Sequence, residues 1–497
     1  MSIINRNNIS KTIQYFKKNG ISDTVYAACE RIALKRKSDY SYISPSIETL
    51  EMQKYYSLNY DLSGVCGDEC RPVPQGIEDK PRITIVMPAY ETPTHFLKAA
   101  IDSVVAQSYP RWELIVADAS ESTIVQDAIS EYDSVYETDL DAGHNNSRTF
   151  IAGSIVYTRL KHNLGISENT NAAISLALGD YIALMDHDDV FTPDALFRLA
   201  AVAEGAVCDG GRQVKNPVLI YSDEDKTDSE GTNFYDPHIK YDFNYDYLLT
   251  NNYICHLSCI RRDIFGTIQF RREYDGAQDY DLVLQIAEKL INDGAGLYES
   301  IVHIPRVLYH WRCHEASTAA NTSSKLYAYE AGLKAIQNHV DNLYGNRNLN
   351  AEGKSPISVE HSKHLGFYKI TYGCNGVFGL RDDVGAVIER HFDIKGRMLP
   401  IIWNEKGDLL YAGINKHFAG ELNRFDCSQD VAVADIRYLT INPDISDEYV
   451  EFLGTAENMK REGVKDNEAW YDLSRKLCMK MREDGYKILY IPQTQNG

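Results

Sequence analysis

From Arg82 onward, short apolar runs alternate with amphipathic segments. The run ITIVMP is typical of a buried strand, and the pair Thr92-Pro93 after it is a helix start signal. Apolar residues then recur every four positions, which predicts a helix with one apolar face. WELIVADAS is the next predicted strand. Strand, helix and strand with a short return indicate a right-handed βαβ unit in a mainly parallel sheet.

The alternation continues through the next segments. IVYTRL and YIALM are predicted strands, and NLGISENTNAAISLALGD between them is a predicted helix that begins near Ile166 and ends at Gly179. The acidic sequence DHDD follows YIALM directly, and Thr192-Pro193 caps the next predicted helix. The acidic cluster therefore lies in a loop at the carboxyl end of a strand, which is where open α/β sheets bind ligands.

Changes in composition and hydrophobic pattern divide the chain into three predicted parts. Residues 1–80 are a helical extension followed by a Tyr-rich and then Gly/Pro-rich linker, and residues 81–345 are the main α/β domain. A polar stretch near 345–357 precedes a second α/β module at 358–497. This module repeats one layout of the main domain: a predicted helix, a Gly turn and a strand that ends in Ile-Pro. AWYDLSRKLCMKMREDGYKILYIP parallels QDYDLVLQIAEK followed by GLYESIVHIP.

Charge and composition exclude several classes of function. The chain has a formal net charge of -20 and contains no large basic run, which argues against nucleic-acid binding. The first residues contain no signal-peptide apolar region, and no run of about 18 apolar residues occurs, so we expect a cytoplasmic protein without a membrane span. The pairs Cys66/Cys70 and Cys255/Cys259 lack histidines at zinc-finger spacing, which favours reduced thiols.

The spacing of Asp186 and Asp188 suits one hard cation, because residues two apart on an extended backbone share a face. Mg²⁺ and Mn²⁺ prefer such oxygen donors. Asp189 or Thr192 could instead cap the next helix, but three acids after a buried run repel one another unless a cation or histidine lies nearby. The cluster thus favours a metal and phosphate site.

Three functions fit this cluster. In a haloacid-dehalogenase-type phosphatase, Asp186 would be the nucleophile; in a nucleotide-sugar glycosyltransferase, the acids would hold a metal on the diphosphate. A non-catalytic carbohydrate-binding or scaffold protein is the third. The phosphatase motif usually ends the first strand of its domain, whereas at least three strand-like segments precede it here. That order favours the glycosyltransferase.

Five segments in sequence carry a resemblance to one family. VMPAYETP, QSYPRWELIVADAS, NLGISENTNAAISLALGDYIALMDHDD, YSDEDK and GAQDYDL resemble the inverting family 2 glycosyltransferases, over about residues 81–315. The resemblance implies the GT-A nucleotide-diphospho-sugar transferase fold, which is an α/β fold with a Rossmann-like, mainly parallel sheet flanked by helices. It also implies that residues 358–497 are a degenerate transferase-like module.

The resemblance implies a reaction as well. A metal-dependent enzyme with Mn²⁺ or Mg²⁺ would transfer a sugar with inversion from a nucleotide-sugar donor, in the first place a UDP-sugar. The acceptor would be a hydroxyl of a saccharide or lipid-linked saccharide, as in surface polysaccharide biosynthesis. A lipid-linked acceptor would be met at the inner face of the cell membrane, through peripheral contact.

Individual residues take roles from the same resemblance. The predicted nucleotide and donor contacts are Pro88, Tyr90, Glu91, Asp118, Asn163, Gly165, Asn171 and Asp186. Asp118 follows LIVA without an evident core role, and the family often has Asn in the position of Glu91. The predicted metal ligands are Asp186, Asp188 and His310, with Asp188 the more direct carboxylate ligand.

The reaction needs a base for the attacking hydroxyl. GAQDYDL resembles the Glu-Asp motif of the family, with Gln278 in place of Glu and Asp279 in the position of the base. Asp281 is the alternative base. Three more residues are predicted to face the donor sugar or the acceptor: Asp223, Glu224 and Trp311.

Overall fold

The computed structural model describes most of the chain from residue 40 onward. The described ranges are 40–59, 79–140, 148–207, 212–314, 322–345, 356–372 and 376–492, with scattered positions between 13 and 29. Most of the predicted N-terminal extension, Cys66 and Cys70, and most of the polar stretch near 345–357 lie outside these ranges. The chain divides into two units, which are described separately: a larger one of Tyr40–Phe243 and Asn252–His339, and a smaller one of Met1–Asp39, Asn244–Asn251 and Val340–Gly497.

The helices and strands account for most of the described residues. In chain order the helices are α1 (Ile47–Asn59), α2 (Thr94–Val105), α3 (Ile124–Ile129), α4 (Ile166–Ser175), α5 (Ala195–Ala203), α6 (Tyr245–Leu248), α7 (Gln278–Asn292), α8 (Thr322–Tyr344), α9 (Val450–Arg461) and α10 (Asn467–Glu483). The strands of the larger unit are β1 (Ile83–Ala89), β2 (Trp112–Asp118), β3 (Val135–Glu137), β4 (Ser154–Arg159), β5 (Tyr181–Leu184), β6 (Val190–Phe191), β7 (Leu219–Thr227), β8 (Phe234–His238), β9 (Ser258–Arg261) and β10 (Ile301–Arg312). Those of the smaller unit are β11 (Ile357–His361), β12 (Tyr368–Tyr372), β13 (Val384–Glu389), β14 (Ile402–Trp403), β15 (Gln429–Asp430), β16 (Val433–Ala434), β17 (Leu439–Ile441) and β18 (Lys487–Ile491).

One sheet runs through the larger unit in the order β3-β4-β2-β1-β5-β9-β7-β10-β6, with β8 paired to β7. The five strands from β3 to β5 are parallel to one another, as the βαβ pattern predicted. The chain leaves β1 on one side through β2 and returns on its other side through β5. The carboxyl ends of β1 and β5 therefore form a topological switch point, where α/β sheets of this kind bind ligands.

Alternate residues of β1 pack on the two faces of the sheet. Ile85 and Met87 join the core under α2, whereas Val86 joins a smaller core that includes Ala173 of α4. Every residue of β1 and β2 is buried, as expected for parallel strands covered on both faces. Hydrophobic burial on both faces thus fixes which strand ends form the site.

Two predicted helix caps are wrong in detail. α2 follows Pro93 and α5 follows Asp194 at their cap positions, so both helices begin later than the Thr-Pro pairs indicated. The Thr192 hydroxyl bonds the Asp194 carboxylate at 3.1 Å instead of capping the helix. The predicted strands lie where the sequence placed them, and α4 begins at Ile166 as predicted but ends at Ser175, before Gly179.

The smaller unit contains a four-stranded sheet in the order β15-β18-β13-β17, in which β13 and β18 are parallel. α10 leads through Gly485, with φ of +93°, into β18, which is the helix, glycine turn and strand expected there. Arg381 and Asp246 form a fully buried ion pair of 2.9 Å in this unit. Among the described residues, no helix combines the length and apolar character that crossing a bilayer requires.

Candidate active site

The three carboxylates after β5 have three different environments. The side chain of Asp186 is 50% exposed, that of Asp188 is 19% exposed, and Asp189 is buried at 1%. The loop that carries them leads from β5 to β6, at the carboxyl end of the parallel strands. The loop therefore carries one half-exposed acid, Asp186, one partly exposed acid, Asp188, and one buried acid, Asp189.

Asp189 anchors the loop to β10. Its Oδ2 accepts a hydrogen bond of 2.5 Å from the Tyr309 hydroxyl, and its Oδ1 accepts one of 2.7 Å from the backbone N–H of Arg312. The Arg312 guanidinium also donates to the carbonyl of Asp188. Burial, followed by the charges of Asp188 and Asp186, raises the pKa of Asp189 well above its usual range.

Asp186 lies beside a histidine from the segment before β9. The His256 Nε2 is 4.0 Å from the Asp186 carboxylate, and the His256 ring stacks on Tyr309 at 4.7 Å. Burial lowers the pKa of His256, but the surrounding carboxylates, led by Asp186, outweigh burial and raise it. The pKa of Asp186 is also raised, although half of its side chain is exposed. Desolvation by the surrounding protein and the charge of Asp188 raise it, and they outweigh the opposing effect of His256.

Asp188 has a histidine of its own. Its Oδ2 lies 2.8 Å from the Nε2 of His314, which follows β10 closely in the chain. Both side chains are mostly buried, at 19% and 16% exposure. A carboxylate and an imidazole at this separation can be neighbouring ligands of one divalent ion.

The cluster has the donor set of a divalent metal site. Asp186, Asp189 and His256 place possible ligand atoms within 4.8 Å of one another. Both oxygens of Asp189 are already engaged by β10, so Asp186 and His256 are the accessible donors of this group. Asp188 and His314 form a second pair of carboxylate and imidazole. Carboxylate oxygens suit Mg²⁺ and Mn²⁺, and an imidazole suits Mn²⁺ better.

His310 does not belong to this group. Its Nδ1 lies 2.5 Å from Asp225, its ring packs between Tyr42 and Phe234, and the residue is 3% exposed. The reason is the alternation of β10: Tyr309 faces the acidic cluster, so the next side chain points to the opposite face. His310 is thus a buried partner of Asp225, contrary to the role expected for it.

The two candidate bases differ in their surroundings. Asp279, in the first turn of α7, is partly buried and accepts a hydrogen bond of 2.8 Å from the Asn252 side chain. Its charge acts on both Asp186 and His256. Asp281 is fully buried and ion-paired with Arg271, whose Nε lies 2.9 Å away. Of the two, Asp279 is therefore the carboxylate whose charge acts on the acidic cluster, whereas Asp281 is paired with a cation.

The predicted nucleotide contacts gather at the carboxyl ends of β1, β2 and β4. Asp118 has a structural role that the sequence did not show. It is fully buried, and its Oδ2 accepts hydrogen bonds of 2.8 Å from Tyr157 and from Arg159. Its Oδ1 accepts from the backbone of Ser120. Asp118 therefore shapes this edge of the sheet, and the exposed side of Arg159 lies beside it.

The neighbouring loops are held by the other predicted residues. Glu91, with φ of +47°, accepts hydrogen bonds from the backbone N–H groups of Glu121 and Ser122. Just before it in the chain, Pro88 is buried and Tyr90 is 43% exposed. A further group fixes the start of α4: Asn163 accepts from the Gly165 N–H at 3.1 Å, and the Asn171 side chain bonds both backbone groups of Phe270.

The three residues predicted to face sugars differ in access. Asp223 is 2% exposed and accepts from the Lys240 backbone at 2.7 Å. Glu224 is 6% exposed and lies 3.3 Å from the Lys240 ammonium, which with His238 holds the pKa of Glu224 well below its usual range despite burial. Trp311 is partly buried, with its ring 6.0 Å from that of His256. Of the three, only Trp311 offers surface beside the cluster.

Residues 84–268 match the family described as Glycosyl transferase family 2. This region is a family 2 glycosyltransferase domain. The match includes the DHDD cluster, so the phosphatase interpretation of Asp186 is wrong. The α/β sheet, parallel from β3 to β5 with its ligand edge at β1 and β5, is the GT-A fold expected for the family.

Relatives of the chain cover it in part. It is 34% identical over 273 residues to an uncharacterised protein, y4gI, of Sinorhizobium fredii strain NGR234. The aligned region covers 54% of this chain and 26% of that protein. It is 27% identical over 301 residues to the O-antigen biosynthesis protein RfbC of Myxococcus xanthus, which is 60% of this chain and 20% of that protein. The chain thus spans about a quarter or less of the length of these relatives.

A solved structure similar to this chain is that of the mannosyltransferase PcManGT from Pyrobaculum calidifontis in complex with GDP-Man and Mn²⁺. The match has 13% sequence identity and a TM-score of 0.35, and it covers 67% of this chain and 74% of the other. A similarity at this level carries no argument about the site.

The sequence did not point to several residues that build the site. These are Lys240, Asn252, His256, Tyr309, Arg312 and His314. One signal was available: HWRCH contains a second histidine just past the predicted strand, where the strand's alternation no longer decides its direction.

Proposed function

We propose that this chain is a metal-dependent, inverting glycosyltransferase with a nucleotide-sugar donor and a saccharide hydroxyl as acceptor. The observation that carries the proposal is the pair Asp186 and Asp188 after β5, with His256 4.0 Å from Asp186 and the charge of Asp279 acting on both Asp186 and His256, inside a family 2 domain. Two accessible carboxylates suit a metal on the diphosphate, and the third suits proton removal.

Asp186 and Asp188 hold Mn²⁺ or Mg²⁺ in this proposal, with His256 and His314 as the imidazoles in reach. The bound ion would neutralise charge on the leaving diphosphate. The edge formed by β1, β2 and β4 would take the nucleoside, with Glu91 and Asp118 fixing its loops and Arg159 beside them. Trp311 would line the sugar side.

Asp279 is the proposed base. The acceptor oxygen attacks the anomeric carbon as the bond from that carbon to the β-phosphate oxygen breaks, and the hydroxyl proton passes to Asp279. Attack from the face opposite the diphosphate inverts the anomeric configuration. The products are the glycosylated acceptor and the nucleoside diphosphate, and the proton later leaves to solvent.

The donor class and acceptor are proposed from the relatives. RfbC is named for O-antigen biosynthesis. Another relative, WfgD of Escherichia coli, is 27% identical over 114 residues and is named as a UDP-Glc transferase acting on a diphosphoundecaprenol-linked sugar. We therefore propose a UDP-sugar donor and a saccharide or lipid-linked saccharide acceptor of a surface polysaccharide, met at the inner face of the membrane. Residues 358–497 are proposed to be a degenerate transferase-like module without a catalytic role.

A thermal-shift panel tests the proposal. We expect UDP, GDP, UDP-glucose, UDP-N-acetylglucosamine or GDP-mannose to raise the melting temperature of the protein only when Mn²⁺ is present. Asp188→Asn should remove most of this shift, whereas Asp293→Asn, which changes an exposed aspartate just after α7, should keep it. Stabilisation by none of these nucleotides, with or without Mn²⁺, would contradict the proposal and favour a non-catalytic scaffold.

A further inference from the structure

The proposed base is oriented by an uncharged group. The Asn252 Nδ2 donates a hydrogen bond of 2.8 Å to the Asp279 Oδ2, and both side chains are partly buried. Within the described residues, no other hydrogen bond to the Asp279 carboxylate is found. One oxygen is thereby held, whereas the other has no hydrogen-bond partner among the described residues.

The direction of the Asn252 amide follows from its second contact. The Asn252 Oδ1 accepts a hydrogen bond of 3.5 Å from the backbone N–H of Cys255. If the amide were turned over, its oxygen would face the Asp279 carboxylate, and two acceptors would repel each other. The N–H group therefore faces Asp279, and the amide acts as a donor to it.

The segment behind Asn252 is rigidly held. The fully buried Lys240 ammonium donates to the carbonyls of Ile254 and His256, and the His256 N–H donates to Glu224 at 3.1 Å. Backbone groups held on both sides of Cys255 leave the segment little freedom. The same segment thus positions the Asn252 amide against Asp279 and the His256 ring against Asp186.

Asp281 shows what a charged partner does on the same helix. It is fully buried against Arg271, and its charge is compensated by that cation. An amide N–H, in contrast, orients a carboxylate and favours its ionised form without neutralising it. The neutral partner therefore orients the Asp279 carboxylate without placing a cation against it.

We infer that Asn252 is a positioning residue for the base of this glycosyltransferase: it fixes the Asp279 carboxylate so that its other oxygen receives the acceptor's proton. The inference rests on the proposed function. It adds a residue that contacts neither metal nor donor in that proposal and acts only through Asp279.

The test uses donor hydrolysis, in which water replaces the acceptor and needs the same base. The full chain with Mn²⁺ is given whichever of UDP-glucose, UDP-N-acetylglucosamine or GDP-mannose it hydrolyses fastest. We expect Asn252→Ala to lower kcat about 10- to 100-fold, within the range of a general base's contribution. Donor KM and the thermal shift with UDP and Mn²⁺ should stay within about twofold of wild type, since donor contacts are untouched.

Three further variants keep the result interpretable. Asn252→Asp keeps the shape but sets a like charge against Asp279, so kcat should fall at least as far as in Asn252→Ala. Asn252→Gln, which retains an amide donor, should recover part of the rate. Asn292→Ala, at the exposed far end of α7, is the matched control and should match wild type.

The outcomes distinguish a wrong role for Asn252 from a wrong assignment of Asp279 as the base. If Asp279→Asn abolishes hydrolysis while Asn252→Ala and Asn252→Asp leave kcat within twofold, Asn252 has no positioning role. Equal losses in kcat, UDP binding and melting temperature in both Asn252 variants would make the residue merely structural, which also overturns the inference. If Asp279→Asn itself hydrolyses donor normally, the proposed base is wrong instead.

Discussion

A single phenol connects the acids of the candidate site. The Tyr309 hydroxyl donates to the buried Asp189 carboxylate and accepts a hydrogen bond of 3.2 Å from the Asp186 backbone N–H. The same ring supports the His256 imidazole at 4.7 Å. The ring stacking needs only the aromatic face, whereas the two hydrogen bonds need the oxygen, so the two contributions can be separated by one substitution.

Tyr309→Phe should therefore destabilise the fold while keeping the His256 ring in place. It leaves one oxygen of Asp189 buried without its donor, which costs about 1–3 kcal/mol in the free energy of unfolding. Urea denaturation followed by circular dichroism measures this, with Tyr136→Phe as the control because Tyr136 is 43% exposed on β3. A change equal to the control's would mean that the hydroxyl does not support Asp189.

Site residues could be predicted where the sequence around them carries a recognisable pattern, and not where their role depends on a partner distant in the chain. Asp186 and Asp188 directly follow a predicted strand, so a short-range pattern singled them out, whereas Asp279 was predicted from the resemblance of GAQDYDL to a family motif. The structural role of Asp118 was not evident because its cation, Arg159, is 41 residues away on the neighbouring strand. The wrong choice of His310 came from the register of β10, which the sequence could not supply, because one residue's shift turns every side chain to the other face.

At the scale of elements, the segment between α6 and β9 depends on a buried ion pair. Lys240 and Glu224 are 0% and 8% exposed in their side chains, and both also hold backbone groups of this segment. A buried charge that loses its partner is costly, whereas removing both charges avoids that cost.

Lys240→Met should lower the free energy of unfolding by about 3–5 kcal/mol, because it leaves Glu224 buried without its cation. The double variant Lys240→Met with Glu224→Gln should recover part of that loss, and the single Glu224→Gln completes the cycle. Urea denaturation of the four proteins gives the coupling. Additive losses, with no recovery in the double variant, would show that the pair does not act as a unit.

The elements that pattern located are those that bury a complete face. β1 and β2 carry largely apolar runs, and α7 has a full apolar stripe. The four-residue β9 and the two-residue β6 were not predicted. Each is a strand only because longer neighbours offer it hydrogen bonds, which a window of that length cannot reveal.

At the scale of the whole molecule, the chain crosses between its two units more than once. Asn244–Asn251 belongs to the smaller unit, although residues on both sides of it belong to the larger one. The boundaries predicted from composition, 81–345 and 358–497, remain a prediction, and composition could not have revealed this short excursion. Its reason lies in packing: Tyr245, Asp246, Tyr247 and Leu248 are all buried, and Asp246 meets Arg381.

Arg381→Met tests the importance of that excursion for the smaller unit. Arg381 is fully buried, and it bonds Asp246 at 2.9 Å and Asp383 at 2.7 Å, so its loss leaves Asp246 buried without a cation. We expect about 3–5 kcal/mol less stability in this unit, or roughly 10 °C in its unfolding transition by calorimetry. Arg461→Met, at the exposed end of α9, should move it by no more than about 1 °C, since exposed charges contribute little. UDP with Mn²⁺ should still stabilise the larger unit of Arg381→Met, because its acidic cluster is unchanged. If Arg381→Met leaves the unfolding transition of the smaller unit unaltered, the Asp246 ion pair does not hold residues 244–251 in place.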